Sequence, residues 1–128
     1  MFNILVNTEY EWLFETLKAE SPDFFSIKFA DLSCPDETQY EQLVSTDAII
    51  GQKISLSDAQ YETAGRLQII QTLSAGFDHI DLAKAKKHNV YVANNNGANA
   101  ESVAEHVLML ILSLYRKLLF HHNSVIQG

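Results

Sequence analysis

Two loops of the sequence combine residue types that suit the binding of a small anion. The first, residues 73–79 (LSAGFDH), directly follows an apolar run, and its glycine permits a tight turn whose successive backbone N–H groups can face an anion. The second, residues 94–99 (NNNGAN), directly follows the run VYVA. Ligands bind beyond the carboxyl ends of parallel strands. Because both loops follow consecutive predicted strands, we expect them to lie side by side, and one interpretation of the pair is a site for a carboxylate.

Each of these loops also has a plainer interpretation. Asn99 is well placed as the N-cap of the helix that follows, with Glu101 in the first helical turn. Gly76 can be a turn glycine without any role in binding. At this point the residues alone leave both alternatives open.

The remaining reactive side chains lack the partners that catalysis or metal binding needs. His79 adjoins an aspartate, but adjacent residues rarely face one another, so we interpret this histidine as structural. His106 lies on a polar strip of a helix, and His121 and His122 have no partners at metal-ligand spacing. Cys34 has no activating base in the sequence and is interpreted as a passive thiol. We therefore predict no metal site and no catalytic residue.

Composition disfavours several classes of partner. The 128 residues suit a single domain over 1–128, and a formal net charge of -7 repels the backbone of nucleic acids. One cysteine cannot form an internal disulfide, and the first residues do not resemble a secretory signal. The most apolar run, Val107–Leu112, is far shorter than the roughly 18 residues of a membrane span. These features predict a cytoplasmic protein with neither a nucleic-acid nor a membrane partner.

The elements that must position the two loops alternate between strands and helices. Short apolar runs predict five strands, and apolar residues at helical spacing follow each of them. This alternation favours an α/β fold, a flavodoxin-like three-layer sandwich with a five-stranded parallel sheet of order 2-1-3-4-5 and helices on both faces. The predicted strands are FNILVN, FSIKFA, DAIIG, LQIIQTL and VYVAN, and the predicted helices are Thr8–Glu20, Asp36–Val44, one opening near Ser57, Asp81–His88 and a long one from about Asn99.

The long C-terminal helix, predicted over Ala100–Phe120, is apolar around most of its surface. Two apolar stripes leave only a narrow polar strip between them. Such a helix needs partners on several sides, so we expect part of it to meet another domain or subunit.

Residues 67–118 resemble the D-isomer-specific 2-hydroxyacid dehydrogenases, the family that also includes phosphoglycerate, formate and phosphite dehydrogenases. The resemblance rests on the glycine loop with its DHID continuation, and on Gly97-Ala98-Asn99 followed by SVAEH at the start of an apolar helix. Residues 1–66 share only the alternation of strands and helices. Asn96 departs from the proline that commonly precedes this glycine in the family.

The resemblance implies a substrate-binding domain hinged to a separate nucleotide-binding domain. By motif position, the amides of Ala75 and Gly76 would receive the substrate carboxylate. Asn99 would lie near substrate and nicotinamide, and Val103 would border the cofactor cleft. The complete enzyme would transfer a hydride between NAD or NADP and a small 2-hydroxy or 2-oxo acid, with its catalytic residues in segments that would follow Gly128.

The sequence lacks the dinucleotide-binding signature, because no GxGxxG follows a strand. We therefore interpret the chain as the N-terminal part of such a dehydrogenase, without the nucleotide-binding domain. We expect this chain alone to bind no cofactor and to show no turnover.

The sequence also allows a function of a different class, and it disfavours two other protein classes that share this fold. The main alternative is a noncatalytic binding module that forms a homodimer through the long C-terminal helix. A phosphoacceptor receiver domain needs acidic residues where the first and third strands end, but the sequence there reads NTE and IGQ. An FMN-binding flavodoxin needs a hydroxyl-rich phosphate loop after the first strand, where the sequence offers only Thr8.

Overall fold

A computed structural model of the protein describes residues 1–32 and 37–128, with the backbone alone for residues 37–39. The chain divides into two compact units, residues 1–96 and 97–128. The first unit contains β1 (Phe2–Asn7), α1 (Glu11–Glu20), β2 (Phe25–Phe29), α2 (Glu37–Val44), β3 (Ala48–Gly51), α3 (Asp58–Thr63), β4 (Ile69–Thr72), α4 (Leu82–Lys87) and β5 (Tyr91–Ala93). The second contains α5 (Ala100–Tyr115) and α6 (Leu118–Gln127).

The five strands form one parallel sheet in the order β2-β1-β3-β4-β5. The predicted α/β class, strand number and strand order are therefore confirmed. The register places Asn7 of β1 opposite Gly51 of β3, and Gly51 opposite Thr72 of β4. Because the strands are parallel, the loops that follow β1, β3 and β4 all begin at the same edge of the sheet.

Both faces of the sheet are covered, which explains why its strands read as nearly continuous apolar runs. Alternate residues of a strand point to opposite faces, so Leu5 joins one apolar cluster while Ile4 and Val6 join another. The first cluster contains Leu43 of α2, Tyr61 of α3 and Ala85 of α4, and the second includes Phe14 and Leu17 of α1.

Side-chain caps set where two of the helices begin. The Ser57 hydroxyl accepts a hydrogen bond from the Gln60 N–H at 3.3 Å, and the Gln60 side-chain oxygen accepts one from the Ser57 N–H at 2.8 Å. The Asp81 carboxylate accepts from the N–H groups of Ala83 and Lys84, both at 3.0 Å. Two predictions are thus confirmed: one helix begins near Ser57 and another near Asp81, and these two residues are the caps.

Two predicted helix boundaries are wrong. α1 begins at Glu11 rather than at Thr8, because the Thr8 hydroxyl accepts a hydrogen bond from the Tyr10 N–H at 3.1 Å and holds a turn before the helix. The helix predicted over Ala100–Phe120 is interrupted at Lys117, whose backbone is left-handed with φ 48° and ψ 44°. A left-handed residue ends a right-handed helix, so α5 stops and α6 begins beyond it.

Helices α5 and α6 of the second unit contain no buried residue. Their large apolar side chains are exposed, including Leu112, Leu114, Tyr115, Leu119 and Val125. Within the described residues, no helix combines the length and the apolar character needed to cross a membrane.

Candidate functional site

The loop after β4 and the start of the loop after β5 are in direct contact within the first unit. The Asn94 side-chain amide donates a hydrogen bond to the Ala75 carbonyl oxygen at 2.7 Å. The Asn95 backbone N–H donates to the Ser74 carbonyl oxygen at 3.1 Å. The prediction that these loops are neighbours is confirmed for Asn94 and Asn95.

Hydrogen bonds within the 73–79 loop leave a run of successive N–H groups, those of residues 74–79, without a partner among the described residues. The Thr72 hydroxyl donates to the Ser74 carbonyl oxygen at 2.6 Å, and the Ser74 hydroxyl donates to the Gly76 carbonyl oxygen at 3.0 Å. These bonds occupy carbonyl oxygens only. In the described part of the chain, the N–H groups of Ala75 and Gly76 have no hydrogen-bond acceptor. Adjacent N–H donors of this kind suit an anion.

The backbone does not require glycine at position 76. The φ of Gly76 lies outside the left-handed region, and a Cβ added there would meet only the Asp78 carboxylate, at 3.7 Å. What the glycine supplies is an open approach to its own backbone, which a ligand can use.

Asn99 and Val103 lie in the second unit, whereas Ala75 and Gly76 lie in the first. Asn99 occupies the N-cap position of α5, and its carbonyl oxygen accepts a hydrogen bond from the Val103 N–H at 2.9 Å. Its side chain, however, makes no capping hydrogen bond. The expected N-cap position is confirmed, but the expected capping by the amide is wrong. The Val103 side chain is half exposed.

The four histidines considered in the sequence analysis show no catalytic arrangement. The His79 Nε2 atom is buried and has no hydrogen-bond partner among the described residues, so this nitrogen is not paired with a carboxylate. His106, His121 and His122 are exposed. The described residues contain no group of three or more histidine, cysteine, aspartate or glutamate side chains that could hold a metal ion. Cys34 and its predicted passive thiol lie outside the described residues.

The structure gives Asn94 a role at the site that was not predicted from the sequence. Its amide joins two loops separated by nearly twenty residues, holding the carbonyl that precedes the Gly76 N–H. The signal was present in the sequence, because asparagine directly after a strand often bonds to a neighbouring backbone group. The acceptor itself depends on the register of β5 against β4 and on the conformation of the 73–79 loop, which no local pattern specifies.

Replacing Asn94 with alanine is expected to cost about 1 kcal/mol of stability, because the half-buried Ala75 carbonyl oxygen loses its partner. Amide NMR signals of the 73–79 loop should shift or broaden in the variant. Asn96→Ala is the matched control, since Asn96 is exposed and within the described residues its side chain makes no hydrogen bond. Equal stability and equal loop signals in the two variants would show that the Asn94 bond does not order the loop.

In a comparison with protein families, residues 12–122 match the model described as D-isomer specific 2-hydroxyacid dehydrogenase, catalytic domain. The matched residues include both loops and all of α5.

Individual proteins show the same similarity. A formate dehydrogenase of Pseudomonas sp. (strain 101) is 37% identical over 102 residues, which cover 77% of this chain and 25% of the relative. An erythronate-4-phosphate dehydrogenase of Coxiella burnetii is 33% identical over 86 residues, covering 67% of this chain and 24% of the relative. The chain thus spans about a quarter of the length of these curated relatives. Among solved structures, the D-lactate dehydrogenase of Aquifex aeolicus complexed with NAD and lactic acid matches 98% of this chain and 37% of its own, with a TM-score of 0.69 and 29% identity.

Proposed function

Because the chain belongs to the D-isomer specific 2-hydroxyacid dehydrogenase family, through that family's catalytic domain, we propose that it forms the substrate-binding part of an NAD-dependent oxidoreductase. The substrate class is a small 2-hydroxy or 2-oxo acid. The observation that carries this proposal is the open backbone at Gly76, which lies within a run of unpartnered N–H groups that includes those of Ala75 and Gly76. A carboxylate has two oxygens that accept hydrogen bonds, so it can take one from each N–H.

The chain's own residues do not fit the pyrophosphate of a dinucleotide. Such a group is bound by a glycine-rich turn between a strand and a helix, where the backbone can approach it closely. Each turn between a strand and a helix holds at most one glycine in the sequence, Gly76 after β4 and Gly97 after β5. Gly51 ends β3, but a Cβ there would lie only 2.1 Å from the Asn7 carbonyl oxygen, so the space beside it is filled by protein. We therefore assign acid binding to this chain and NAD or NADP to a separate nucleotide-binding domain.

In this proposal Asn99 and Val103 belong to the wall that faces the substrate and the nicotinamide. Asn99 has an amide that is not used for capping, and Val103 presents a half-exposed apolar side chain in the first turns of α5. The cytoplasmic location and the single substrate-binding domain over residues 1–128 stay predictions.

Titration of the isotope-labelled chain with D-lactate, followed by amide NMR, tests the carboxylate site. We expect the largest shifts at Ala75 and Gly76, and no comparable shifts with lactamide, which has the same shape without the charge. Gly76→Ala should weaken lactate binding roughly tenfold by obstructing the approach to the two N–H groups. Gly65→Ala is the matched control, because a Cβ at Gly65 would also meet only one atom, the Glu62 carbonyl oxygen at 3.9 Å.

Two results would contradict this assignment. One is a 73–79 loop whose amides do not respond to lactate at high millimolar concentration. The other is equal binding of lactate and lactamide, which would remove the role of the carboxylate. Separately, the chain alone should not oxidise NADH in the presence of a 2-oxo acid, and measurable turnover would show that the expectation of inactivity is wrong.

A second candidate function is a noncatalytic module that self-associates through α5, favoured by the exposed apolar side chains of that helix. Burial of such a surface against a second copy would be stabilised by the hydrophobic effect. Analytical ultracentrifugation should then show a dimer that Leu112→Glu dissociates, while Ser113→Glu on the same helix has a smaller effect. A monomer at every concentration would exclude this function.

A further inference from the structure

The first unit contains a cavity of about 560 Å³ where β1, β2 and β3 end. It is lined by residues of the β1–α1 segment, the first half of α1, the end of β2 and the loop after β3. None of its lining residues belongs to the loops after β4 and β5, so it is separate from the proposed carboxylate site. A volume in this range accommodates a small organic ligand.

Two aromatic rings form the apolar wall of this cavity. Phe14 of α1 and Phe29 of β2 meet edge to face, with ring centroids 5.8 Å apart and an angle of 74° between the rings. Phe29 remains 48% exposed and Phe14 is half-buried, so both rings present surface to a ligand. Aromatic faces attract cations, and the Lys18 ammonium already lies 5.9 Å from the centroid of the Phe14 ring.

The charged side chains around the cavity are mostly acidic. Among the described lining residues, Glu9, Glu11, Glu15 and Asp31 carry carboxylates and Lys53 carries an ammonium, with the Lys18 ammonium beside the Phe14 ring. The Lys53 ammonium already lies 3.4 Å from a Glu9 carboxylate oxygen. Asp31 has an interaction of its own, so Glu11 and Glu15 are the carboxylates that a ligand would meet. Glu11 and Glu15 are four residues apart on α1, where like charges repel and destabilise a helix. A cation bound between the aromatic wall and these carboxylates would relieve that repulsion.

We propose that this cavity binds a small organic cation, an ammonium group carried on an aromatic or aliphatic body. The apolar body packs on Phe14 and Phe29, and the ammonium lies near Glu11 and Glu15. Anionic ligands, including the acids proposed for the 73–79 loop, are disfavoured here by the same carboxylates. The proposal goes beyond the proposed function and does not depend on it, since the two sites share no residue.

Binding of 2-phenylethylamine to the full chain tests the proposal, with calorimetry for affinity and amide NMR for location. The neutral 2-phenylethanol and the anionic 3-phenylpropionate keep the aromatic body and change only the charged end. We expect the amine to bind at least about fivefold more tightly than the alcohol, and the anion to bind more weakly still. The shifted amides should be those of residues 7–15 and 52–53.

Paired variants separate a local effect from the overall charge of the protein. Glu11→Gln with Glu15→Gln should weaken amine binding about fivefold or more. Glu20→Gln with Glu62→Gln removes the same charge from exposed positions outside the cavity, and should leave the affinity within about twofold. The proposal is overturned by equal losses in the two double variants, by equal binding of amine and alcohol, or by no binding of the amine at millimolar concentration.

Discussion

Gly51→Ala is expected to destabilise the protein by about 3 kcal/mol or more. The added Cβ would lie 2.1 Å from the Asn7 carbonyl oxygen and 2.9 Å from the Asn7 carbonyl carbon. These are backbone atoms of the neighbouring strand, so no rotation of a side chain relieves the overlap. β1 and β3 must therefore separate, which weakens the hydrogen bond from the Gln52 N–H to the Asn7 carbonyl oxygen at 3.0 Å.

The same separation would disturb a second set of bonds. The Asn7 side chain donates to the Gln52 carbonyl oxygen at 2.6 Å and accepts from the Leu32 N–H at 2.9 Å, so it ties the ends of three strands together. Because Asn7 is buried, any bond lost here is not replaced by water without a further opening of the structure.

Denaturant unfolding followed by circular dichroism measures this prediction. Gly65→Ala is the control, with an expected change within about 0.5 kcal/mol because its Cβ has room. If the Gly51→Ala protein were as stable as the Gly65→Ala protein, β1 and β3 could separate without a cost in free energy. That result would contradict the close packing of Gly51 against Asn7.

The sheet could be predicted from the sequence because each strand is a short apolar run bounded by polar residues. β1 occupies the residues predicted for it, Phe2–Asn7, and the strand order followed from the regular alternation with helices. The break at Lys117 could not be predicted in this way. A lysine carries no signal for a left-handed backbone, unlike glycine or asparagine, so a continuous apolar pattern predicted a continuous helix.

The candidate site was predictable in position and not in detail. A loop directly after an apolar strand must lie at the carboxyl edge of a parallel sheet, which located the segment containing Ala75 and Gly76. The contacts of Gly51 and Asn94 depend on the register of the neighbouring strands and on the conformation of the loops that follow them, because their partners Asn7 and Ala75 are far away in the sequence. Periodicity carries no such information about pairs.

Asp47 should carry the clearest pH dependence among the described residues. It precedes β3 and is only 3% exposed, and its carboxylate accepts hydrogen bonds from the Asn3 N–H at 2.8 Å and from Arg66 Nη2 at 2.8 Å. The Asn3 backbone N–H is the largest cause that lowers the pKa of Asp47; burial opposes it, and the hydrogen bond and charge of Arg66 lower the pKa further. The net result is an Asp47 pKa below its ordinary value of 3.8.

A carboxyl group whose pKa is lower in the folded protein than in the unfolded chain stabilises the fold when it is ionised. That contribution is fully present above the ordinary value of 3.8, and it is lost as the pH falls through the lower, folded pKa. At neutral pH, Asp47→Asn should therefore lower the free energy of unfolding by about 2 kcal/mol. An asparagine side chain has one acceptor oxygen, so its NH₂ group must face one of the two donors that the carboxylate satisfied. Arg66→Met should cost less, about 1 kcal/mol at most, because the Arg66 side chain is 58% exposed.

The free energy of unfolding of the parent protein and of Asp47→Asn, measured from pH 7 to about pH 2, tests this assignment. Other carboxylates titrate in both proteins, so the difference between the two isolates the contribution of Asp47. The difference should be constant above about pH 5 and should shrink in acid, as protonation removes the charge from the parent's carboxyl group. A difference that stays the same down to the lowest pH would show that the ionised carboxylate does not stabilise the fold. A larger loss in Arg66→Met than in Asp47→Asn would instead assign the main stabilising role to the ion pair rather than to the Asn3 backbone N–H.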